Sequence, residues 1–262
     1  MKKCFLSFVI LLVFIGCKSI TTAQNPPVKQ ELTLEYKEQI ENLEKGIYFR
    51  GNGNEPDWIL KISEKTIEFS SLIPGFESLT TNHAEPVPAM DATVKMYKVT
   101  SGNVLLIIQI MQQECVNTMS SEKLSYSVRV EIVKDKNSIL LRGCGSYITD
   151  YRLHDIWVLE QLNGNKISPA DFTKKLPNLE INSSTNTFMG FAGCNRMNGT
   201  ISYERGVLRF NNIITTRMAC VENNKENEIL KALQSTTSYK VENLRLILTN
   251  QSGNELVFKK VD

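Results

Sequence analysis

The sequence predicts an α+β fold, mostly antiparallel β, divided into two domains. Three observations carry that expectation. Apolar and polar residues alternate at period two through most of the chain beyond Gly46, which puts one side of each segment in a core and the other in water. One strong helical stripe interrupts the alternation at Asn224 to Ser235, where Ile229, Leu230 and Leu233 share a face and Glu226, Lys231 and Gln234 lie off it. Turn signals such as Ser101-Gly102-Asn103 and Asp135-Lys136-Asn137 separate the runs.

Composition agrees with this. A length of 262 residues suits one large or two modest domains. Apolar residues at 42% and charged residues at 22% are ordinary globular values, which argues against disorder, a collagen-like chain or a multi-span membrane protein. A formal charge of +2 provides no field that attracts nucleic acid. Two histidines, His83 and His154, are too few for a multi-histidine metal site.

Taken in order, Met1-Lys2-Lys3 is a basic start, and an apolar run follows from Cys4 to Gly16. As a helix that run reaches roughly 20 Å, short of a bilayer core of about 30 Å. Residues 1–16 therefore read as a signal peptide and not as a spanning helix. The run ends in Phe14-Ile15-Gly16-Cys17, which resembles the bacterial lipobox. That resemblance implies lipidation of Cys17, palmitate included, and anchoring in the cell envelope, expected on the periplasmic side of the outer membrane. Residues 17–45 follow as a polar tether with Asn25-Pro26-Pro27 in it, and Glu31 to Lys45 is expected as a short helix. Removing Lys2 and Lys3 with the leader leaves basic residues equal in number to the 28 acidic ones, so the mature charge is about zero.

Setting aside Cys4 and Cys17, four cysteines remain: Cys115, Cys144, Cys194 and Cys220. An even number in an exported chain reads as two disulfides. Three pairings are available. The sequential one, Cys115–Cys144 with Cys194–Cys220, keeps each bridge within one half of the chain and is worth about 3–4 kcal/mol per bridge in the chain-entropy model. A metal site is disfavoured because no two of these cysteines stand at C-x-x-C spacing.

An N-terminal antiparallel β-domain is expected over 46–152, with strands at 58–62, 66–69, 93–99, 104–110 and 126–132. Val104 to Ile110 is apolar apart from Gln109 and reads as a central strand. A second domain is expected over 153–262. Ser168-Pro169-Ala170-Asp171 reads as an N-cap with proline at the first helical position, opening a short helix. Strands are expected at about 178–182, 186–192, 199–203, 207–214, 237–241, 244–250 and 255–260, with the 224–235 helix covering one sheet face.

The second half resembles the META domain family, which includes HslJ-like heat-shock proteins. The residues that carry this are Trp157-Val158-Leu159 with Asn163-Gly164, then Gly190-Phe191-Ala192-Gly193-Cys194-Asn195-Arg196-Met197-Asn198-Gly199, then Thr215-Thr216-Arg217-Met218-Ala219-Cys220, and the helix around Glu228, Leu230 and Leu233. The resemblance implies a strongly bent antiparallel half-barrel wrapped on a helix, a stress-related role, and a likeness to lipoproteins that escort secretion machinery. It carries over no catalytic residue. The first half is similar to a domain of bacterial lipoproteins marked by G-N-E-P-F-W, here Gly53-Asn54-Glu55-Pro56-Asp57-Trp58, with Asp57 in place of the aromatic. Cys115-Val116-Asn117-Thr118-Met119-Ser120 and Gly143-Cys144-Gly145 continue that similarity.

Two segments are candidate binding sites. Asn54, Glu55, Asp57 and Trp58 read either as the rim of a polar ligand site or as a strand-opening loop in which Trp58 seals the core; the residue types favour the loop. Asn195 and Arg196 read either as a loop receiving a peptide or an anion or as a tight turn that positions a disulfide, and the three glycines around them favour the turn. Met111, Cys115 and Met119 are soft enough to hold Cu(I), but methionines at strand or loop spacing are more commonly core filler. The chain has no G-x-S-x-G, phosphate-binding loop, dinucleotide fingerprint or basic stripe. No enzyme activity, cofactor, metal or nucleic-acid partner is expected.

The expected function is a non-catalytic, stress-related envelope lipoprotein that binds a protein or peptide partner in a chaperone- or pilotin-like role. The alternative is a lipoprotein inhibitor of a secreted enzyme such as lysozyme or a protease. An apolar groove beside the 224–235 helix would favour the first. A disulfide-braced loop at 112–125 or 190–199 would favour the second. A buried carboxylate cluster would favour an enzyme.

Overall fold

Thr33 caps the first helix of the computed structural model, which describes residues 33–88, 94–172, 175–220 and 224–261. The signal peptide over 1–16, the lipidation at Cys17 and the tether up to residue 32 lie outside the described residues. Helix α1 (Leu34–Glu44) begins where the Thr33 hydroxyl accepts from Tyr36 N at 3.3 Å. It is docked on the body. Gln39 is buried, its amide donates to the carbonyls of Thr149 (2.6 Å) and Ser183 (3.3 Å), and its carbonyl accepts from Ser183 Oγ. The expected tether to residue 45 is corrected accordingly: from Thr33 onward the chain belongs to one compact unit.

The first sheet is built from β1 (Ile47–Asn54), β2 (Asp57–Ser63), β3 (Thr66–Ser71), β4 (Ser78–Asn82), β5 (Val87–Pro88), β6 (Val94–Ser101) and β7 (Val104–Met111). A two-stranded ribbon, β8 (Cys115–Val116) with β9 (Lys123–Leu124), precedes β10 (Tyr126–Lys134) and β11 (Asn137–Tyr147). The order is β4-β3-β2-β1-β11-β10-β7-β6-β5, antiparallel throughout. The sheet curls until β6 approaches β4, where Ser101 Oγ donates to Thr80 O at 3.2 Å, so it is a nearly closed barrel. Alternation explains the filling: Phe49, Leu60, Ile62, Ile67, Leu106, Ile108 and Val130 are fully buried inside. Strand β7 is internal as expected, although Leu105 and Ile107 on its outer face are half-buried.

The second sheet starts at β12 (Asp155–Leu162), which pairs with the short β13 (Asn165–Lys166). It continues through β14 (Asn178–Asn182), β15 (Thr187–Phe191), β16 (Arg196–Glu204) and β17 (Val207–Thr215). Helix α2 (Glu226–Ser235) and strands β18 (Ser238–Glu242), β19 (Arg245–Thr249) and β20 (Glu255–Lys260) complete it. The order β17-β16-β15-β14-β12-β20-β19-β18 bends into a half-barrel around α2, whose Ile229 and Leu233 are fully buried with Trp157, Leu179, Phe188, Leu208 and Phe258.

Two expectations need adjusting here. The helix at 168–171 is a single 3₁₀ turn, Pro169–Asp171, closed by a reciprocal Ser168–Asp171 capping box; it stops because Phe172 turns extended and enters the core. Strand β16 begins three residues earlier than alternation suggests, and the turn in the glycine-rich segment is confined to Ala192–Asn195, where Ala192 N donates to Asn195 O.

The two sheets have separate cores and an interlocked junction. The turn between β16 and β17 carries Arg205, in the left-handed region at φ 43°, into the mouth of the first barrel. Its guanidinium meets Glu64 (3.1 Å) and Glu85 (3.2 Å) and lies 4.7 Å over the Tyr48 ring. Glu204 pairs with Lys95 and accepts from Tyr126 Oη, while Tyr203 packs on the first core.

Candidate functional site

The β1–β2 hairpin shows why the first motif has its composition. Trp58 points inward, is buried and stacks on Phe69. Its indole occupies the space that side chains at two neighbouring glycines would need. A Cβ on Gly53 would lie 2.3 Å from Trp58 Nε1, and one on Gly143 would lie 2.0 Å from Asn52 O and 2.6 Å from the indole. Glycines at 53 and 143 therefore let β1 and β11 close over a tryptophan. Glu55 and Asp57 are exposed at the hairpin end and do not converge on a common point with Trp58. Only Asn54 of this group reaches a cleft: its Nδ2 donates to Asn117 Oδ1 (2.9 Å) and Thr118 Oγ1 (3.2 Å).

Those two acceptors belong to the 112–125 loop, which lies across the outer face of the barrel. Cys115 is bonded to Cys144, with Cα atoms 5.5 Å apart, and Cys144 is opposite Asn52 in register. Asn117 is buried and its Oδ1 also accepts from Met119 N. The loop is thus braced at both ends of its ribbon, while Met119 at its tip remains 77% exposed. Disulfide formation removes the Cys115 thiolate from the Cu(I) reading. Between loop and sheet lies a cleft of about 370 Å³, lined by Asn52, Asn54, Ser127, Arg129 and Arg142 among others.

The second candidate segment is a buried hydrogen-bond node. Cys194 and Cys220 are bridged, with Cα atoms 5.8 Å apart. Between them the buried Glu226 carboxylate accepts from Cys194 N (3.0 Å), Asn195 N (2.5 Å) and Asn195 Nδ2 (2.8 Å). Asn195 Oδ1 accepts from Thr216 Oγ1 (2.9 Å) and Met218 N (2.8 Å). Asn195 is therefore fully committed to joining β16, the segment before Cys220 and the start of α2. Arg196 projects into solvent, away from this node. Cys194, Cys220 and Glu226 lie close enough together to hold a metal ion, but oxidation of both sulfurs leaves a single carboxylate that already accepts three N–H groups. Glu226 was missed as a key residue, although an acid in the first turn of an amphipathic helix is a legible signal.

Other polar groups are held at the junction. Tyr48 Oη is 2.9 Å from His83 Nε2 and 3.4 Å from Tyr97 Oη. Burial, and then the Tyr97 hydrogen bond, pushes the Tyr48 phenol far above its ordinary range. His154 Nδ1 accepts from Ser183 N at 3.3 Å. Both histidines thus have structural partners. Asp150 is buried and bonded to Arg152 and to Tyr239 Oη (2.7 Å). Its burial works against ionisation, but the hydrogen bonds from Arg152 and Tyr239 outweigh it and hold the carboxyl below its usual range. The concave side of the half-barrel is filled by α2, so an apolar groove for a partner is not what lies beneath that helix.

Residues 151–262 match the META domain. No curated protein matches the chain. Among solved structures, it is similar to a protein determined by NMR, at 23% identity over 41% of this chain and 90% of that one, with a TM-score of 0.35. A protein from Burkholderia xenovorans, also determined by NMR, is 28% identical over 41% of this chain and 82% of that one, with a TM-score of 0.34. A DUF4847 family protein from Bacteroides vulgatus, known from a crystal structure, is 16% identical over 42% of this chain and 96% of that one, with a TM-score of 0.30.

Proposed function

We propose, starting from the META domain at residues 151–262, that the protein is a non-catalytic, HslJ-like lipoprotein of the cell envelope that binds a protein or peptide partner. The observation that carries this reading is the pair of disulfides, one in each half of the chain, using all four cysteines of the described residues. Bridges of this kind persist in oxidising compartments. With the lipobox-like Cys17 they favour an anchored, exported molecule. The structural engagement of His83 and His154 favours binding over catalysis.

Membrane fractionation tests the anchor. The Cys17→Ser variant is expected to move from the membrane to the soluble fraction of the envelope. Retention equal to that of the unaltered chain would remove the lipoprotein reading. A second reading, inhibition of a secreted enzyme such as lysozyme or a protease, is favoured by the braced 112–125 loop and its exposed Met119. Under that reading Met119→Asp abolishes inhibition of the target enzyme.

A further inference from the structure

The outer face of the first barrel carries an arrangement that its own fold does not explain. Arg129 on β10 and Arg142 on β11 stand directly opposite one another, and both line the cleft beneath the 112–125 loop. Like charges in such a register repel. Among the described residues neither guanidinium has a hydrogen-bond or ion-pair partner, although Glu131 lies two residues along β10. Arg50, Arg152, Arg205 and Arg245 are each committed to carboxylates, and Arg196, Arg209 and Arg217 stand singly in solvent; only Arg129 and Arg142 face each other across a strand pair beside a cleft. The same cleft contains Ser127 Oγ, a buried hydroxyl without a partner. Two guanidinium groups and a hydroxyl form a donor set for oxygen anions, and arginine pairs recognise carboxylates through parallel N–H···O bonds.

The walls are fixed in advance. The floor is the close β1–β11 approach over Trp58, and the cover is tied by the Cys115–Cys144 bridge and by Asn54 to Asn117. Such preorganisation lowers the cost of binding. Val116, 51% exposed, supplies apolar surface at the rim. The volume of about 370 Å³ fits a few side chains and is too small for a folded element.

We infer that this cleft receives an extended acidic segment of a protein partner, with a side-chain carboxylate held by Arg129 and Arg142 and an apolar neighbour against Val116. The inference rests on the partner-binding reading and names its surface. A fluorescein-labelled Gly-Glu-Leu-Glu-Val-Gly amide, titrated against the full chain in detergent and followed by anisotropy, tests it. The probe is expected to bind saturably. Arg129→Gln and Arg142→Gln should each weaken it at least tenfold, as should exchange of both probe glutamates for glutamine. Arg217→Gln, at an exposed site elsewhere, should leave binding unchanged. The melting temperature of the two cleft variants should hold or rise, because repulsion is relieved; a fall would assign the pair a structural role and overturn the inference. Absence of saturable binding, indifference to both arginines, or displacement by inorganic phosphate at equal concentration would also overturn it. Cross-linking in envelopes separates the two ideas. Capture that survives in the Arg129→Gln/Arg142→Gln double variant leaves a partner but removes the cleft, while absence of capture by the unaltered chain removes the partner itself.

Discussion

Asp150 shows how one side chain makes the fold sensitive to acid. Its carboxylate is buried where β11 ends and accepts from the Arg152 guanidinium and the Tyr239 phenol, which comes from the other sheet. Because these bonds favour the charged form, its folded-state pKa lies below the unfolded value. The stabilisation is therefore complete above the unfolded aspartate value of about 3.9 and is lost as pH falls through the lower, folded value. Asp150→Asn should cost about 2 kcal/mol at neutral pH. Urea unfolding at a series of pH values should show the gap narrowing below pH ~4, where the unaltered chain loses the same contribution. A gap constant down to pH ~2 would mean that the charge is not what Tyr239 and Arg152 recognise. Nothing in the sequence pairs Asp150 with Tyr239, because 89 residues separate them and no periodicity links them.

Among the elements, helix α2 illustrates a second dependence. Its N-cap, Lys225, provides no side-chain hydrogen bond; Asn224 Oδ1 accepts from Glu226 N at 3.0 Å instead, and the Glu226 carboxylate ties the start of the helix to the Cys194–Asn195 backbone and the Asn195 amide. Glu226→Gln turns one acceptor into an NH₂ group facing those N–H donors. A loss of about 2–3 kcal/mol is expected. The denaturation midpoint should fall, and Cys194–Cys220 should become reducible before Cys115–Cys144. An unchanged midpoint and reduction order would show that the disulfide alone holds the node. Elements with clean alternation, such as β2 and β10, are readable because each has one core-facing side, and β7 is readable because it is apolar almost throughout. Strands β1 and β11 were not, because Gly51, Gly53, Gly143 and Gly145 occupy inward positions where alternation would require apolar side chains. Strand β4 hid for a different reason: in Ser78–Asn82 only Leu79 is apolar. The site followed the same division. Asn195 and the cysteines could be singled out from the sequence, but the Arg129–Arg142 pair exists only through the register of β10 with β11.

At the scale of the whole molecule, two sheets with separate cores are joined by a polar turn inserted into a barrel mouth. The β16–β17 turn places Arg205 between Glu64 and Glu85 and over Tyr48, with Glu204 against Lys95 and Tyr126 beside it. The cores are separate, so coupling between the sheets passes through this junction, through the Asp150–Tyr239 bond and through α1, whose Gln39 bridges Thr149 and Ser183. Surface ion pairs contribute little individually, but Arg205 is mostly covered and meets two carboxylates and a ring at once. Arg205→Glu reverses the charge beside Glu64 and Glu85 and removes the cation over Tyr48, so attraction becomes repulsion without touching either core. Calorimetry of the unaltered chain should show one transition. The variant should show two, the lower one displaced by roughly 3–6 °C. A single transition at the original midpoint would mean that the sheets are coupled elsewhere, through the Asp150–Tyr239 bond and α1, and Asp150→Asn with Gln39→Ala in the same background would then be the changes that separate them.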